Sequence, residues 1–209
     1  MKKKIAYWSP CLNPVGTVKA TINSIKSLSI FKNEFESITL INASGEWDNY
    51  KSKLVGDKIK VYNLAFSYFK FLPKTGLILS RISYIIISII SLFPLIKFLT
   101  KEKPDYIIVH LITSLPLILF NLLPFKTKLI LRISGYPKLN SFRKNFWKYS
   151  DKNIYSVTAP TNTTLDLIKK NKIFKEDKII YLPDPILEIK EINKQNLDSS
   201  FLDKNLSEE

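Results

Sequence analysis

The sequence predicts an α/β fold: a Rossmann-like, open and mostly parallel sheet with helices on both faces. Short apolar segments rich in Ile, Val and Tyr alternate about seven times with segments of helical periodicity. The links between them are short, as in parallel sheets built from crossovers. The clearest unit runs from Asp151 to Pro185 as strand, short helix and strand, and two strands joined in this way pair in parallel.

The first 64 residues predict three strands and a helix. Apolar residues after the first strand recur at helical spacing, with Thr17 placed to cap the helix. A polar segment containing Gly45 and Trp47 joins the other two strands. The predicted strands are Ile5–Trp8, Ser37–Asn42 and Lys58–Leu64, and the helical positions are Val18, Ile22, Ile25 and Leu28.

A long helix is predicted from Lys74 to Glu102. The part from Ile82 to Ile96 carries no charge and is shorter than the roughly 20 residues that a membrane-spanning helix needs. Pro94 is expected to kink or split the helix. Three interpretations stay open: a core helix packed on the sheet, a helix lying in a bilayer surface, and a true membrane span.

The second half continues the alternation. Ser114 and Thr161 stand where they could cap helices, the second with an apolar stripe of Leu165, Ile168 and Ile173. Beyond Glu188 the chain is polar without an apolar face, so we expect one domain over 1–187 and a polar tail or linker over 188–209. The predicted strands are Asp105–Val109, Leu129–Ile133, Ile154–Thr158 and Ile179–Leu182; the helices are Leu115–Leu123 and one carrying Phe142, Phe146 and Tyr149.

Composition excludes several classes of protein. The formal net charge is +14, but it comes almost entirely from lysine, with arginine only at 81, 132 and 143, so we expect no nucleic-acid partner. Attraction to an anionic membrane surface fits this charge better. One cysteine and one histidine provide neither a disulfide nor a zinc site, and we expect no metal and no cofactor. Without a secretory signal pattern, the expected location is the cytoplasm or, peripherally, the inner face of the membrane.

Three segments could carry a ligand site, because ligands of such sheets bind at the carboxyl ends of the strands. They are the loop Asn13–Thr17, the strand end at His110, and the turn Ser134–Pro137. Gly16 and the helix after it could hold a phosphate, although an ordinary strand–helix turn has the same pattern. His110, the single histidine, is either a buried structural residue or an acid–base group. Ser134 and Gly135 either let a ligand approach the backbone or form a simple turn.

Taken in order, these segments resemble the N-terminal domain of family 4 glycosyltransferases. The resemblance rests on the first strand with its Pro/Gly loop and on the segments Lys103–His110, Leu129–Gly135 and Ile154–Pro185, and it covers roughly residues 1–187. Such enzymes have the GT-B fold, in which two Rossmann-like domains face each other across a cleft. The resemblance implies that the N-terminal domain receives the acceptor, that the C-terminal domain holds the nucleotide sugar, and that no metal is required.

Individual residues can be matched to the pattern of that family. Gly16 corresponds to a glycine loop facing the donor phosphates, His110 to a catalytic-site histidine, and Gly135 to the glycine after the next strand; Thr17 and Ser134 are expected to contact donor or acceptor beside them. Val15–Gly16 replaces the double glycine of the family, and the sequence contains no counterpart of the C-terminal domain.

The expected function is therefore the acceptor-binding half of a glycosyltransferase of hexosyltransferase type. It would transfer a sugar from a nucleotide-sugar donor to a lipid-linked or polysaccharide acceptor, and it would be inactive without a C-terminal domain supplied in cis or in trans. One alternative is a non-catalytic membrane-docking subunit of a split GT-B transferase. Another is a stand-alone α/β binding module, for which no ligand pattern is present.

Overall fold

The computed structural model describes residues 2–13, 16–31 and 33–185, so the predicted tail over 188–209 lies outside the described residues. Within them, strands and helices alternate along the chain except between the second and third strands. The strands are β1 Lys3–Trp8, β2 Phe35–Asn42, β3 Ile59–Asn63, β4 Tyr106–Val109, β5 Lys128–Arg132, β6 Ile154–Ala159 and β7 Ile179–Tyr181; the helices are α1 Gly16–Ile30, α2 Leu77–Glu102, α3 Ser114–Leu122, α4 Ser141–Ser150 and α5 Asn162–Lys170.

The seven strands form one sheet in the order β3-β2-β1-β4-β5-β6-β7. All six neighbouring pairs are parallel, which confirms the predicted fold class. From β1 the chain first builds outward to β2 and β3, then returns through α2 to β4 on the other side of β1. The strand order therefore reverses between β1 and β4, and in open α/β sheets ligands bind at such a point.

Side chains of the central strands point alternately into two cores, one on each face of the sheet. In β1, Ile5 and Tyr7 belong to the core that α1 covers, whereas Ala6 and Trp8 belong to the core on the opposite face. That second core is larger and includes buried residues of α2, α3, α4 and α5. This alternation follows from the two-residue period of a strand and places helices on both faces.

Helix α2 packs one side into the larger core, where Ile87 and Leu95 have no exposed surface. The structure thus contains the predicted core helix, although the opposite side of α2 is exposed, as described below. The helix continues through Pro94 and ends at Glu102, so of the two effects expected of Pro94, a kink or a split, the split does not occur. Because residues before and after Pro94 pack on the same core, tertiary contacts maintain one helix across it.

Two predicted caps were wrong by a residue or two, while a third was correct. Helix α1 already begins at Gly16, so Thr17 lies in its first turn, and Ser114 is the first residue of α3 rather than its cap. Apolar periodicity locates the body of a helix better than its first turn. Thr161 does cap α5, because its hydroxyl accepts a hydrogen bond from the Thr164 N–H at 3.3 Å.

Candidate functional site

A cleft of about 820 Å³ opens at the carboxyl edge of the sheet, beside the point where the strand order reverses. Its floor consists of residues that follow β4 and β5, and Thr17 of α1 contributes at one side. Because β4 and β5 pair in parallel with Val109 opposite Leu131, the next residues, His110 and Arg132, end neighbouring strands at the same level. Strand pairing therefore brings these two side chains to the floor of one cleft.

His110 is held firmly and yet has a free ring nitrogen. Its backbone N–H donates to the Trp8 carbonyl at 2.9 Å, which fixes it against the end of β1. The Nδ1 atom lies 3.4 Å from the Ser134 hydroxyl, while Nε2 has no hydrogen-bond partner among the described residues. A buried polar atom without a partner is uncommon, and in a cleft it indicates a position where a ligand can bind.

Burial, and to a smaller extent the nearby Arg132 guanidinium, lower the pKa of His110 to about 3. The imidazole is therefore neutral at physiological pH. If Nδ1 carries the proton and donates to Ser134, Nε2 keeps a lone pair that can accept a hydrogen bond from a ligand. An anion bound nearby would raise this pKa by favouring the imidazolium.

Arg132 is the buried cation of the cleft floor, with about one twentieth of its surface exposed. Its guanidinium donates to the Leu182 carbonyl at 2.6 Å and pairs with the Asp184 carboxylate. The segment that follows β7 is thereby attached to the end of β5. Because Asp184 is partly exposed, this pair is only half desolvated, and it holds the guanidinium in place beside the ligand space.

The walls of the cleft are helical and largely apolar. One wall is α2, through Tyr84, Ile85, Ser88 and Ile89. The other is α4 with the loop before it, which contributes Tyr136, Phe142, Phe146 and Trp147. Two arginines line the described part of the cleft, Arg132 and Arg143, and no acidic residue does. The site thus combines an apolar surface with positive charge.

Backbone strain lies next to the floor. Ile112 has a φ of 46°, a left-handed conformation that a β-branched residue rarely adopts. Its carbonyl accepts the indole N–H of Trp8 at 3.2 Å, a bond that helps to maintain the turn. This turn carries the chain from His110 to the start of α3 along the cleft. Strained residues of this kind are concentrated at functional sites.

Two other buried titratable groups near this edge have structural roles. Glu46 lies just after β2 and accepts hydrogen bonds from the Ala43 N–H and from the N–H and hydroxyl of Ser44. Burial raises the pKa of the Cys11 thiol to about 12, so this cysteine is not an activated nucleophile. Among the described residues, no three His, Cys, Asp or Glu side chains gather as a metal site would require.

The structure brings together four of the five residues that the sequence indicated. His110, Thr17, Ser134 and Gly135 line the cleft, whereas Gly16 adjoins it through Thr17 without being part of its lining. A Cβ atom added at Gly16 or Gly135 would meet nothing within 4 Å, so open space lies next to both. Their roles in binding remain predictions.

Sequence analysis missed Arg132 and both helical walls. Arg132 looked like the end of an apolar strand, and an arginine at such a position is a signal that could have been used. The walls depend on how α2 and α4 cross the sheet, which local sequence does not determine. Spacing also did not single out the buried aromatic residue of α4, which is Trp147, whereas Phe142 and Tyr149 are largely exposed.

No protein-family profile matches the sequence, and no curated protein matches it in sequence. Solved structures do match in fold. A glycosyltransferase from Rickettsia africae superposes with a TM-score of 0.57 at 14% identity, over 95% of this chain and 50% of that one. UGT2 of Phytolacca americana, solved with UDP-2-fluoro-glucose and pterostilbene, gives 0.58 at 12% identity, over 93% and 56%. The chain spans about half the length of these proteins.

The chain has one half of the GT-B fold. A third match, the UDP-GlcNAc 2-epimerase of Neisseria meningitidis with bound UDP-GlcNAc, has a TM-score of 0.57 at 14% identity, over 100% of this chain and 53% of that one. At such identities the likeness shows the fold alone, and the same GT-B half occurs in transferases and in an epimerase. The chemistry of this GT-B half therefore has to be inferred from its own cleft.

Proposed function

We propose that the chain is the acceptor-binding half of a glycosyltransferase that takes its sugar from a nucleotide-sugar donor. The observation that carries the proposal is the neutral His110, which lines a cleft at the carboxyl edge of a GT-B half and whose Nε2 has no hydrogen-bond partner among the described residues. Solved proteins of the same fold support it: a glycosyltransferase, and UGT2 with UDP-2-fluoro-glucose and pterostilbene. The second half, in cis or in trans, would hold the donor.

In this proposal, His110 positions the acceptor hydroxyl. Its Nε2 accepts a hydrogen bond from that hydroxyl, whose oxygen forms the new bond to the anomeric carbon. The bond from the anomeric carbon to the phosphate oxygen breaks, the nucleoside diphosphate leaves with the electron pair, and the hydroxyl proton passes to Nε2 of His110. Because negative charge near the imidazole raises the pKa of His110, the leaving diphosphate itself makes Nε2 a stronger proton acceptor as the reaction proceeds.

The positive charge of the cleft supports the same interpretation. Arg132 and Arg143 line it and no carboxylate does among its described lining, although Asp184, outside that lining, pairs with Arg132. A transferase must stabilise negative charge that develops on the leaving diphosphate, and cations in a partly desolvated cleft do so better than cations in water. Gly16, Thr17, Ser134 and Gly135 are the proposed contacts to donor or acceptor around this point. We propose a cytoplasmic site of action, at the inner face of the membrane where the acceptor is lipid-linked.

The second candidate is a non-catalytic subunit that docks a split transferase on the membrane. The exposed apolar side of α2 favours this candidate, since such a surface needs no chemistry in the cleft. The two candidates differ in what they require of His110. A docking subunit tolerates any substitution there that leaves the fold intact.

The decisive experiment compares His110→Ala and His110→Gln with the unchanged chain, each reconstituted with a donor-binding half. We expect turnover to fall by about 100-fold or more for both, with the melting temperature changed far less, because positioning and proton transfer are lost. Leu122→Ala, an exposed position outside the cleft, is the matched control and should keep full turnover. Unchanged turnover in both His110 variants would reject the catalytic proposal in favour of the docking subunit.

A further inference from the structure

Helix α2 has a continuous apolar surface on the side that faces away from the core. Five residues spaced four, three, four and four apart form it, and each is between 43% and 77% exposed. This spacing places them on one side of a helix. Surface helices normally carry polar and charged residues there. We name this surface the α2 outer face; it consists of Ile78, Ile82, Ile85, Ile89 and Phe93.

The helix is long and apolar enough to cross a membrane by length and composition, over Ile78–Glu102. However, its other side is in the larger core, where Ile87, Leu95 and Phe98 are at most 2% exposed. A helix that forms part of the core of a sheet domain cannot at the same time be surrounded by lipid. It can lie along a bilayer surface with its outer face in the interfacial layer.

The α2 outer face continues into the cleft. Ile85 and Ile89 belong to the outer face and also line the cleft. Across the mouth, Tyr136 and Phe142 are 66% and 79% exposed and line the cleft as well. These apolar side chains therefore line the cleft from the outer face to the floor that includes His110, and we call this lining the apolar path.

We propose that the α2 outer face binds an anionic bilayer surface and that the cleft takes an acceptor whose hydrocarbon chain stays in that bilayer. This inference rests on the proposed function for the statement that the cleft holds the acceptor. Of the two expected acceptors, a lipid-linked one and a polysaccharide, the structure favours the lipid-linked acceptor. The reason is that the apolar path would be of no use to a polymer of hydrated sugars.

Charge favours an anionic bilayer over a second copy of the chain as the occupant. The chain has a formal net charge of +14, and two copies meeting at this face would repel each other. Two basic residues of α2 are also exposed. Arg81 lies within the stretch that carries the outer face, and Lys97 lies four residues after its last member, Phe93. Basic residues beside an apolar surface are what anionic lipid headgroups attract, and they add to the effect of inserted side chains.

Vesicle flotation tests the surface without any donor or acceptor. The full chain should float with phosphatidylcholine vesicles containing phosphatidylglycerol, and less with phosphatidylcholine alone or at high salt. Ile78→Ser/Ile82→Ser/Phe93→Ser, which avoids the cleft lining, should lower the partition coefficient by about 1,000-fold, since each inserted apolar side chain contributes roughly tenfold. The matched control, Ile30→Ser/Val55→Ser/Leu122→Ser, replaces equally exposed residues outside α2 and should change it by less than about twofold.

A single substitution gives a second measurement that does not depend on tolerating three changes. The three natural tryptophans are buried, so an indole introduced by Phe93→Trp reports on its own surroundings. Lipids brominated along the acyl chain should quench its fluorescence, whereas Val55→Trp should show no quenching beyond that of the unchanged chain. Equal quenching of both variants, or of neither, would overturn the assignment of the α2 outer face.

Two further outcomes would also overturn the assignment of the α2 outer face to a bilayer. One is that the chain does not float with anionic vesicles at low salt. The other is that light scattering shows a dimer, that the α2 triple variant is monomeric, and that vesicles bind neither protein. Turnover separates this inference from the proposed function. In the reconstituted enzyme, the α2 triple variant should lose turnover on a vesicle-held long-chain acceptor and keep it on a short-chain, water-soluble analogue. Loss on both, or on neither, would contradict the bilayer role, while any turnover on the soluble analogue would leave the transferase proposal standing.

Discussion

The buried His110 should make the stability of the protein depend on pH. In the folded chain its pKa is about 3, against 6.5 for an exposed histidine, because burial and the Arg132 charge disfavour the imidazolium. The unfolded chain therefore binds a proton below pH 6.5 that the folded chain does not bind until about pH 3. The stability that the neutral imidazole contributes is complete above pH 6.5 and is lost progressively as the pH falls toward 3.

The magnitude follows from the size of the shift. Each unit between the two pKa values corresponds to about 1.4 kcal/mol, so the whole interval could cost up to about 5 kcal/mol. Between pH 7.5 and pH 5, the expected loss from this one group is about 2 kcal/mol. That is a large part of the stability of a typical domain and should be visible in equilibrium unfolding.

Urea unfolding of the unchanged chain and of His110→Gln, at half-unit steps from pH 7.5 to 4.5, measures this contribution. Carboxylates and lysines titrate in both proteins, so their effects cancel in the difference between the two. That difference should change by about 1.4 kcal/mol per pH unit below pH 6. The chain has a single histidine, so with a tag free of histidine its ring signals in NMR report the pKa directly. A constant difference across this range, or a ring pKa near 6.5, would refute the buried neutral imidazole.

Three further substitutions test the anchoring of Arg132, the turn at Gly45 and the binding role of Gly135. Arg132→Met removes the guanidinium that holds Leu182 and Asp184, and it should lower the free energy of unfolding by about 1–3 kcal/mol in urea titrations. Gly45→Ala should cost about 2 kcal/mol or more, because φ is +101° and the new Cβ would lie 1.9 Å from the Ser67 hydroxyl. Gly135→Ala meets open space and should leave stability unchanged or slightly higher, while calorimetry with the reconstituted enzyme should show weaker ligand binding; equal binding would remove Gly135 from the site.

The sheet was predictable because its central strands are apolar on both faces. Ile107 and Val109 of β4 are buried in the core on one face, Ile108 packs against the core on the other, and continuous apolar sequence of this kind has few other uses. Helix ends were less predictable. A hydroxyl beside an apolar run, such as that of Ser114, marks a helix start only approximately, and the structure begins the helix at that residue instead.

The part of the candidate site at the strand ends was predictable from a general rule, whereas the part on helix α2 was not. Ligands bind at the carboxyl ends of parallel strands, so the predicted strand ends were enough to select His110 and Ser134. The exposed side of α2 could not be selected in this way. In sequence, Ile85 and Ile87 are equivalent apolar residues of one uncharged run, yet one is 57% exposed and the other completely buried. Only the position of the helix on the sheet distinguishes them.

The cleft itself bears on which GT-B chemistry the chain supports, since the fold occurs in transferases and in an epimerase. Inverting a carbon centre of a sugar requires that a proton be removed from carbon and another returned, so it depends on two groups that exchange protons with the substrate. Displacement at the anomeric carbon needs an acceptor for a hydroxyl proton and cations near the leaving diphosphate. In the described lining of the cleft, His110 is held neutral by burial, two arginines are present and carboxylates are absent. These groups suit displacement, and the exposed apolar walls suit an acceptor with a hydrocarbon part, which is why we favour a transferase over an epimerase.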